Sequence, residues 1–435
     1  MRKALFVAYF FPPLGGAGVQ RTTKFIKYLP KFGWNSAVLT AKNPTFLYYD
    51  ESLFKDIPSE TKIYRSFHFD PFGGRFKKTL KKTDAEIKPS LTQFLKTLFK
   101  NSSRFVYRNF FPLETLQIWS LSAYFKGLEI IKKDKVDLIY STFSPAANHF
   151  IAYFLKKKTG LPWVADFRDV WIDSSVLPLQ GPRKVFESFL ERLVAKNSDK
   201  IVVVSDSIGK NLIEKYNLDH KKVITITNGY DDEDFKVKGE IDPMKFTITY
   251  TGSIYRTRSP ATFFRALKNL FDEIPSSRKT VEVNFIGDFL DKESLNLVEK
   301  LDLRENVNFL DYVPHKEAIK RNLSSDLLFL VVDYKDSKET GAIYTGKIFE
   351  YLASRRPILA LTKKTSAAFK LLNETKAGVT VDPEDLQEIS RVLKVLYQNW
   401  EKGSLKINSR DDIIERYSRE NLTKDLANIF SNLVE

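Results

Sequence analysis

The chain has no cysteine. That excludes a disulfide framework, thiolate zinc sites, iron–sulfur clusters and a thiol nucleophile, and it suits a reducing compartment. Histidine is scarce, with four in 435 residues: His68, His149, His220 and His315. They are scattered, with no HExxH-type spacing, so a histidine-rich metal site is not expected. No apolar run approaches the roughly 18–20 residues of a membrane-spanning helix. The longest early one, Ala4–Phe11, follows Arg2 and Lys3 but meets Pro12-Pro13 and a glycine loop. It reads as a buried first strand rather than a secretory signal.

What is present is ordinary globular material, 43% hydrophobic and 28% charged, long enough for two or three domains. The 69 Lys and Arg against 54 Asp and Glu give +15, and the excess is local. Residues 62–108 carry twelve cations and three acids, hence +9. Such a field attracts phosphates, whether of nucleic acid, anionic lipid or a phosphorylated substrate. Within it, Leu91, Phe94, Leu95, Leu98 and Phe99 recur at helical spacing beside Lys96 and Lys100. That is the pattern of an interfacial helix, so an anionic membrane surface is the expected partner. Nucleic acid is not expected, because the charge sits in one insertion and not on a recognised module.

Short apolar runs alternate with helical patterns in two series. The first has strands at Ala4–Tyr9, Ser36–Thr40, Val136–Ser141, Trp163–Asp166, Lys200–Ser205 and Val223–Thr227. A helix over about Val19–Phe32 stops at Gly33. The second has strands at Phe246–Thr251, Val281–Ile286, Val307–Leu310, Leu327–Val332, Ile358–Leu361 and Val379–Val381. Alternation of this kind implies βαβ units and parallel sheets. The expected fold is α/β, with two doubly wound Rossmann-like domains facing a cleft. The first covers 1–228, with a basic insertion at about 62–120, and the second covers 229–405. C-terminal helices at 406–435 return to the first.

Ligands of such sheets sit beyond the carboxyl ends of strands, so the loops there carry the candidate residues. Gly15, Gly16, Gly18 and Gln20 lie between the first strand and helix, where a phosphate can approach backbone N–H groups. The spacing is not GxGxxG, and no acid ends the second strand, so a dinucleotide site is not indicated. Gly252, Arg256 and Arg258 follow the first strand of the second series and suit a diphosphate clamp. Gly287 and Val313 each end a further strand. Thr345, Gly346, Lys347 and Glu350 open a helix; Lys347 opposes the dipole there, which a bound anion explains. Glu350, one turn on, can accept both hydroxyls of a ribose. Asp166, Arg168 and Asp169 follow another strand, with His149 starting a nearby helix. These four are the candidate catalytic groups.

In order and spacing, these pieces resemble the family-4 glycosyltransferases. The likeness rests on Gly15–Gln20, Trp163–Trp171, Thr227–Asp231, Tyr250–Ser253, Phe285–Gly287 and Lys347–Ala353 with Pro357-Ile358. It implies the GT-B fold and a UDP- or GDP-sugar donor held mainly by the second domain. It also implies a glycan or lipid-linked acceptor held mainly by the first, and retention without a bound metal or other cofactor. In that scheme Glu350 holds the donor ribose, and Gly16 and Gly18 approach the diphosphate. The chain departs from the family pattern at several points. Ala342 stands where the earlier of two glutamates is usual, with Glu339 displaced; Ser253 and Ser259 replace the usual Arg and Lys, and Arg168 replaces a pocket histidine. The expected role is surface polysaccharide biosynthesis in the cytoplasm or at the inner face of the cell membrane. The alternatives are a nucleotide-sugar epimerase on the same fold, a non-catalytic subunit and a nucleic-acid-binding protein.

Overall fold

A computed structural model describes residues 1–44, 49–68, 118–172, 179, 181–332 and 344–435. The chain divides into two compact units. Unit 1 comprises Met1–Ile226 with Thr423–Glu435, and unit 2 comprises Thr227–Leu422.

Unit 1 runs β1 (Arg2–Val7), α1 (Ala17–Tyr28), β2 (Trp34–Ala41), β3 (Lys62–Ser66), α2 (Ile118–Asp134), β4 (Leu138–Phe143), α3 (Ala147–Thr159), β5 (Trp163–Phe167), α4 (Gly181–Asn197), β6 (Lys200–Val203), α5 (Asp206–Tyr216) and β7 (Val223–Thr225). Among the described residues, seven strands form one sheet in the order β3-β2-β1-β4-β5-β6-β7. All its pairings are parallel. Ala4–Val7 are fully buried, because a central parallel strand is covered on both faces.

Two local readings change. Lys62–Ser66, counted from sequence as insertion, is the edge strand β3, paired with β2. Only an edge strand leaves room for Lys62 and Arg65 beside water. The first helix is α-helical only to Tyr28 and ends as a 3-10 turn, Leu29–Phe32. Pro30 removes a backbone donor there. Gly33, at φ 81°, then caps the turn. The Leu91–Lys100 pattern lies outside the described residues, as do Ala342 and Glu339.

Unit 2 runs β8 (Phe246–Thr251), α6 (Ala261–Glu273), α7 (Ser277–Thr280), β9 (Val281–Ile286), α8 (Lys292–Lys300), β10 (Val307–Leu310), α9 (His315–Leu323), β11 (Leu327–Val331), α10 (Gly346–Ala353), β12 (Ile358–Leu361), α11 (Ala367–Thr375), β13 (Gly378–Val381), α12 (Leu386–Glu401) and α13 (Asp411–Ile414). Its sheet has the order β10-β9-β8-β11-β12-β13, again parallel. An aromatic core of Phe263, Phe264, Phe285 and Phe329 packs one face, with Phe263 stacked on Phe329 at 4.3 Å.

The last helix, α14 (Arg419–Val434), begins in unit 2, where Arg419 N–H donates to Tyr230 C=O. From Thr423 on it belongs to unit 1. There Phe430 packs edge-on against Phe6, Tyr140 and Trp34. The strand order reverses between β1 and β4 and again between β8 and β11. Those two reversals open the crevices where ligands of such sheets bind.

Candidate active site

In unit 2 the crevice is built by backbones in close approach. Gly252 ends β8 at φ +114° and Gly287 ends β9 at φ +123°. A Cβ on Gly287 would stand 2.9 Å from Gly252 O, so this approach tolerates no side chain. The space over Gly252 is taken by Lys347, from the first turn of α10. Its Nζ lies 2.7 Å from where a Gly252 Cβ would be. The ammonium sits 3.9 Å from the centroid of the Tyr250 ring and donates to the Tyr250 hydroxyl. That hydroxyl donates in turn to Ser253 C=O at 3.1 Å. Tyr351 ties α10 to the same strand end, its oxygen accepting from Thr251 N–H at 2.9 Å. Burial pushes the Tyr351 hydroxyl well above its ordinary range. A cation is thus anchored at the carboxyl end of β8.

Thr345 is the N-cap of α10 without a side-chain capping bond. Its Oγ1 is shielded from solvent and, among the described residues, has no hydrogen-bond partner. Gly346 is exposed, with open space where a Cβ would stand. Glu350 is half-buried one turn on, its Oε1 2.9 Å from His315 Nε2 at the start of α9. Val313 lies half-buried just before that helix. Arg258 stacks 5.8 Å from the Tyr255 ring in the turn after β8, and the Arg256 side chain is not among those described.

In unit 1, Gly16 is the N-cap of α1 at φ 104°, its carbonyl accepting from Val19 and Gln20 N–H. Gly15 is buried before it, and Gln20 is half-buried in the helix's first turn. The Arg168 guanidinium fills the space over Gly18, with Nη1 1.0 Å from a hypothetical Cβ. It is held by Phe143 C=O at 2.6 Å and Ser144 C=O at 3.3 Å, with exposed Asp169 at 3.7 Å.

Asp166 does not pair with Arg168, its neighbour in sequence. It takes a two-pronged ion pair from Arg21 of α1, at 2.9 and 3.0 Å, and hydroxyls from Tyr140 at 2.6 Å and Thr142 at 3.0 Å. Burial pushes this carboxyl up, but Arg21 and the two hydroxyls outweigh it and hold it below the usual range. His149 Nδ1 meets Ser141 Oγ at 2.7 Å, and Trp163 Nε1 donates to the same oxygen. Phe143, Phe167, Trp163 and Trp171 surround the ring. Burial drives the imidazole down to about 3, with Asp166 opposing, so it is neutral. Both Asp166 and His149 are fully buried. Asp166 is tied up by Arg21, Tyr140 and Thr142, whereas His149 Nε2 has no hydrogen-bond partner among the described residues. Only Arg168 and Asp169 of the four candidate catalytic groups reach the loop surface.

Sequence reasoning missed Arg21, Tyr250, Tyr351 and His315. His315 had a local signal, since it follows Val313-Pro314 at a strand-to-helix junction, and Tyr250 and Tyr351 lie inside segments that carried the family likeness without being given a role. Among the described residues no three His, Asp or Glu side chains gather as a metal site would require. No described helix is long and apolar enough to cross a membrane.

Two doubly wound parallel sheets, each with glycines at its crevice, define the GT-B architecture of the glycosyltransferases. The description Glycosyltransferase Family 4 matches residues 15–234, and Glycosyl transferases group 1 matches residues 231–418. The chain belongs to glycosyltransferase family 4. It is 20% identical over 324 residues to the uncharacterized glycosyltransferase MJ1607 of Methanocaldococcus jannaschii, covering 71% of this chain and 79% of that one. Among solved structures it is similar to Anabaena Alr3699/HepE in complex with UDP-glucose. That match has a TM-score of 0.64 and 14% identity, over 99% of this chain and 100% of that one. It is also similar to S. aureus TarM in complex with Fondaparinux, alpha-GlcNAc-glycerol and UDP. There the TM-score is 0.59 and the identity 11%, over 99% and 100%.

Proposed function

We propose that this glycosyltransferase moves a sugar from a UDP- or GDP-sugar to a glycan or lipid-linked acceptor, with retention, in surface polysaccharide biosynthesis. The observation that carries the reading is the Lys347 ammonium held over Gly252 at the unit 2 crevice. A cation fixed at a strand end, beside backbone without side chains, suits a nucleoside diphosphate. Thr345 Oγ1 offers an unused hydroxyl next to it, and Glu350 offers a carboxylate to the ribose. The ligands of the HepE and TarM complexes, UDP-glucose and UDP, support a uridine donor.

In the reaction the bond from the anomeric carbon to the diphosphate oxygen breaks. The bond from that carbon to the acceptor oxygen forms on the same face, and the acceptor proton passes to the leaving diphosphate. Lys347, with Arg256 and Arg258 from the β8 loop, balances the charge that builds on the diphosphate. In unit 1, Arg168 over Gly18 offers a cation to a phosphate-bearing acceptor.

The membrane is the proposed partner of unit 1. Right-handed crossovers put α2, α3 and α4 on one face of the sheet, and α3 packs against both neighbours. Their outer surface exposes Leu121, Phe125, Phe154, Val185 and Phe189. Exposed Lys132, Lys133, Lys157, Lys158, Lys184 and Arg192 lie on the same helices. Apolar side chains among cations suit an anionic leaflet, where each cation contributes about 1 kcal/mol.

A thermal-shift screen with UDP- and GDP-sugars tests the assignment. A donor at 100 times its dissociation constant stabilises by about 2.7 kcal/mol. No shift with any of them would refute the donor reading. Equal sedimentation with anionic and neutral vesicles would refute the membrane partner.

A further inference from the structure

We infer that His315 is a positioning residue that holds the Glu350 carboxylate in place for the ribose diol of the donor. This rests on the reading that Glu350 takes the ribose. The two residues are 35 apart in sequence, on α9 and α10, and are joined by the 2.9 Å contact between His315 Nε2 and Glu350 Oε1. A carboxylate only accepts, so Nε2 carries the hydrogen and donates it. That leaves Glu350 Oε2, which makes no hydrogen bond among the described residues. The two side chains remain 26% and 22% exposed, so the pair borders solvent and is not sealed in the core.

The arrangement divides the carboxylate. Oε1 is spent partly on His315, and Oε2 is left for a ribose hydroxyl. A glutamate has three rotatable bonds, and ordering it during binding costs entropy. His315 removes that cost before the ligand arrives. It does so from a rigid base, because it starts α9 directly after Pro314. Glu350 is equally fixed at its backbone, one turn into α10, which Tyr351 pins to β8. Only the glutamate side chain is left to be oriented, and His315 is the group that orients it.

The test is isothermal titration with UDP, GDP and their 2′-deoxy counterparts, using wild type, His315→Ala, His315→Gln and Glu350→Ala. For the nucleotide that binds wild type more tightly, loss of the 2′-hydroxyl should weaken binding roughly tenfold, the size of one hydrogen bond. His315→Ala should weaken the ribonucleotide by roughly three- to tenfold and shrink that 2′-hydroxyl effect. His315→Gln keeps an N–H donor and should restore most of both. A purely structural role would lower the melting temperature without changing the 2′-hydroxyl effect. The inference fails if His315→Ala binds like wild type while the wild-type 2′-hydroxyl effect is present. It also fails if the Ala and Gln variants weaken binding equally with that effect intact. If the effect is absent from wild type and Glu350→Ala binds normally, the ribose reading of Glu350 is what fails.

Discussion

Replacing Asp166 by Asn separates a structural carboxylate from a reacting one. Asp166 is fully buried and Arg21 is 1% exposed. The aspartate accepts two bonds from Arg21 and one each from Tyr140 and Thr142. Asparagine keeps the shape but removes the charge, and its amide hydrogens face donors. Arg21 then loses the charge of its buried partner, while Ile226 C=O at 2.9 Å still accepts from it. Breaking a buried pair from one side costs about 3–5 kcal/mol. Urea unfolding followed by tryptophan fluorescence reads this directly, since Trp163 lies on β5 beside Asp166. The wild type should also lose stability in acid. The Asp166 carboxyl is depressed in the folded state, so its contribution is present above the unfolded value of about 3.9 and fades as pH falls below it. The Asn variant should lack that component. An Asp166→Asn protein with an unchanged urea midpoint and no transferase activity would refute the structural assignment and make the carboxylate a participant in the reaction.

Two further substitutions probe the crevices. Gly18→Ala puts a methyl where the Arg168 guanidinium lies. The guanidinium is the far end of a flexible chain, so it should swing away, leaving the melting temperature within about 2 °C and activity as low as in Arg168→Ala. Wild-type turnover in Gly18→Ala would show that Arg168 needs no fixed place. Lys347→Ala should weaken nucleoside diphosphate binding by about 1.5–3 kcal/mol and nucleoside binding far less, measured by calorimetry. Equal losses for both ligands would remove Lys347 from the diphosphate. Transfer should continue in excess EDTA; activity abolished by EDTA and restored by Mn²⁺ or Mg²⁺ would refute charge balance by Lys347 and the arginines.

The strands of unit 2 were legible from sequence because both faces of a parallel sheet are covered, so each reads as a short apolar run such as Leu327–Val331. Gly33 marked the end of the first helix because its left-handed φ suits glycine. The glycines after β1, β8 and β9 pointed to the ligand crevices for the same local reason. The edge strand β3 was illegible, since Lys62 and Arg65 break the apolar pattern that an interior strand must keep. The pairings that give the site its chemistry left no local trace either. Asp166 stands two residues from Arg168, yet its partner is Arg21, 145 residues away. Lys347 comes to rest over Gly252, and Glu350 meets His315, only after α9 and α10 pack against the sheet. Periodicity and turn chemistry act within a few residues, so the chain itself determined the strands, helices and glycine loops. Which charges meet was decided by parallel crossovers, which bring distant segments side by side and exclude the water that would otherwise solvate them.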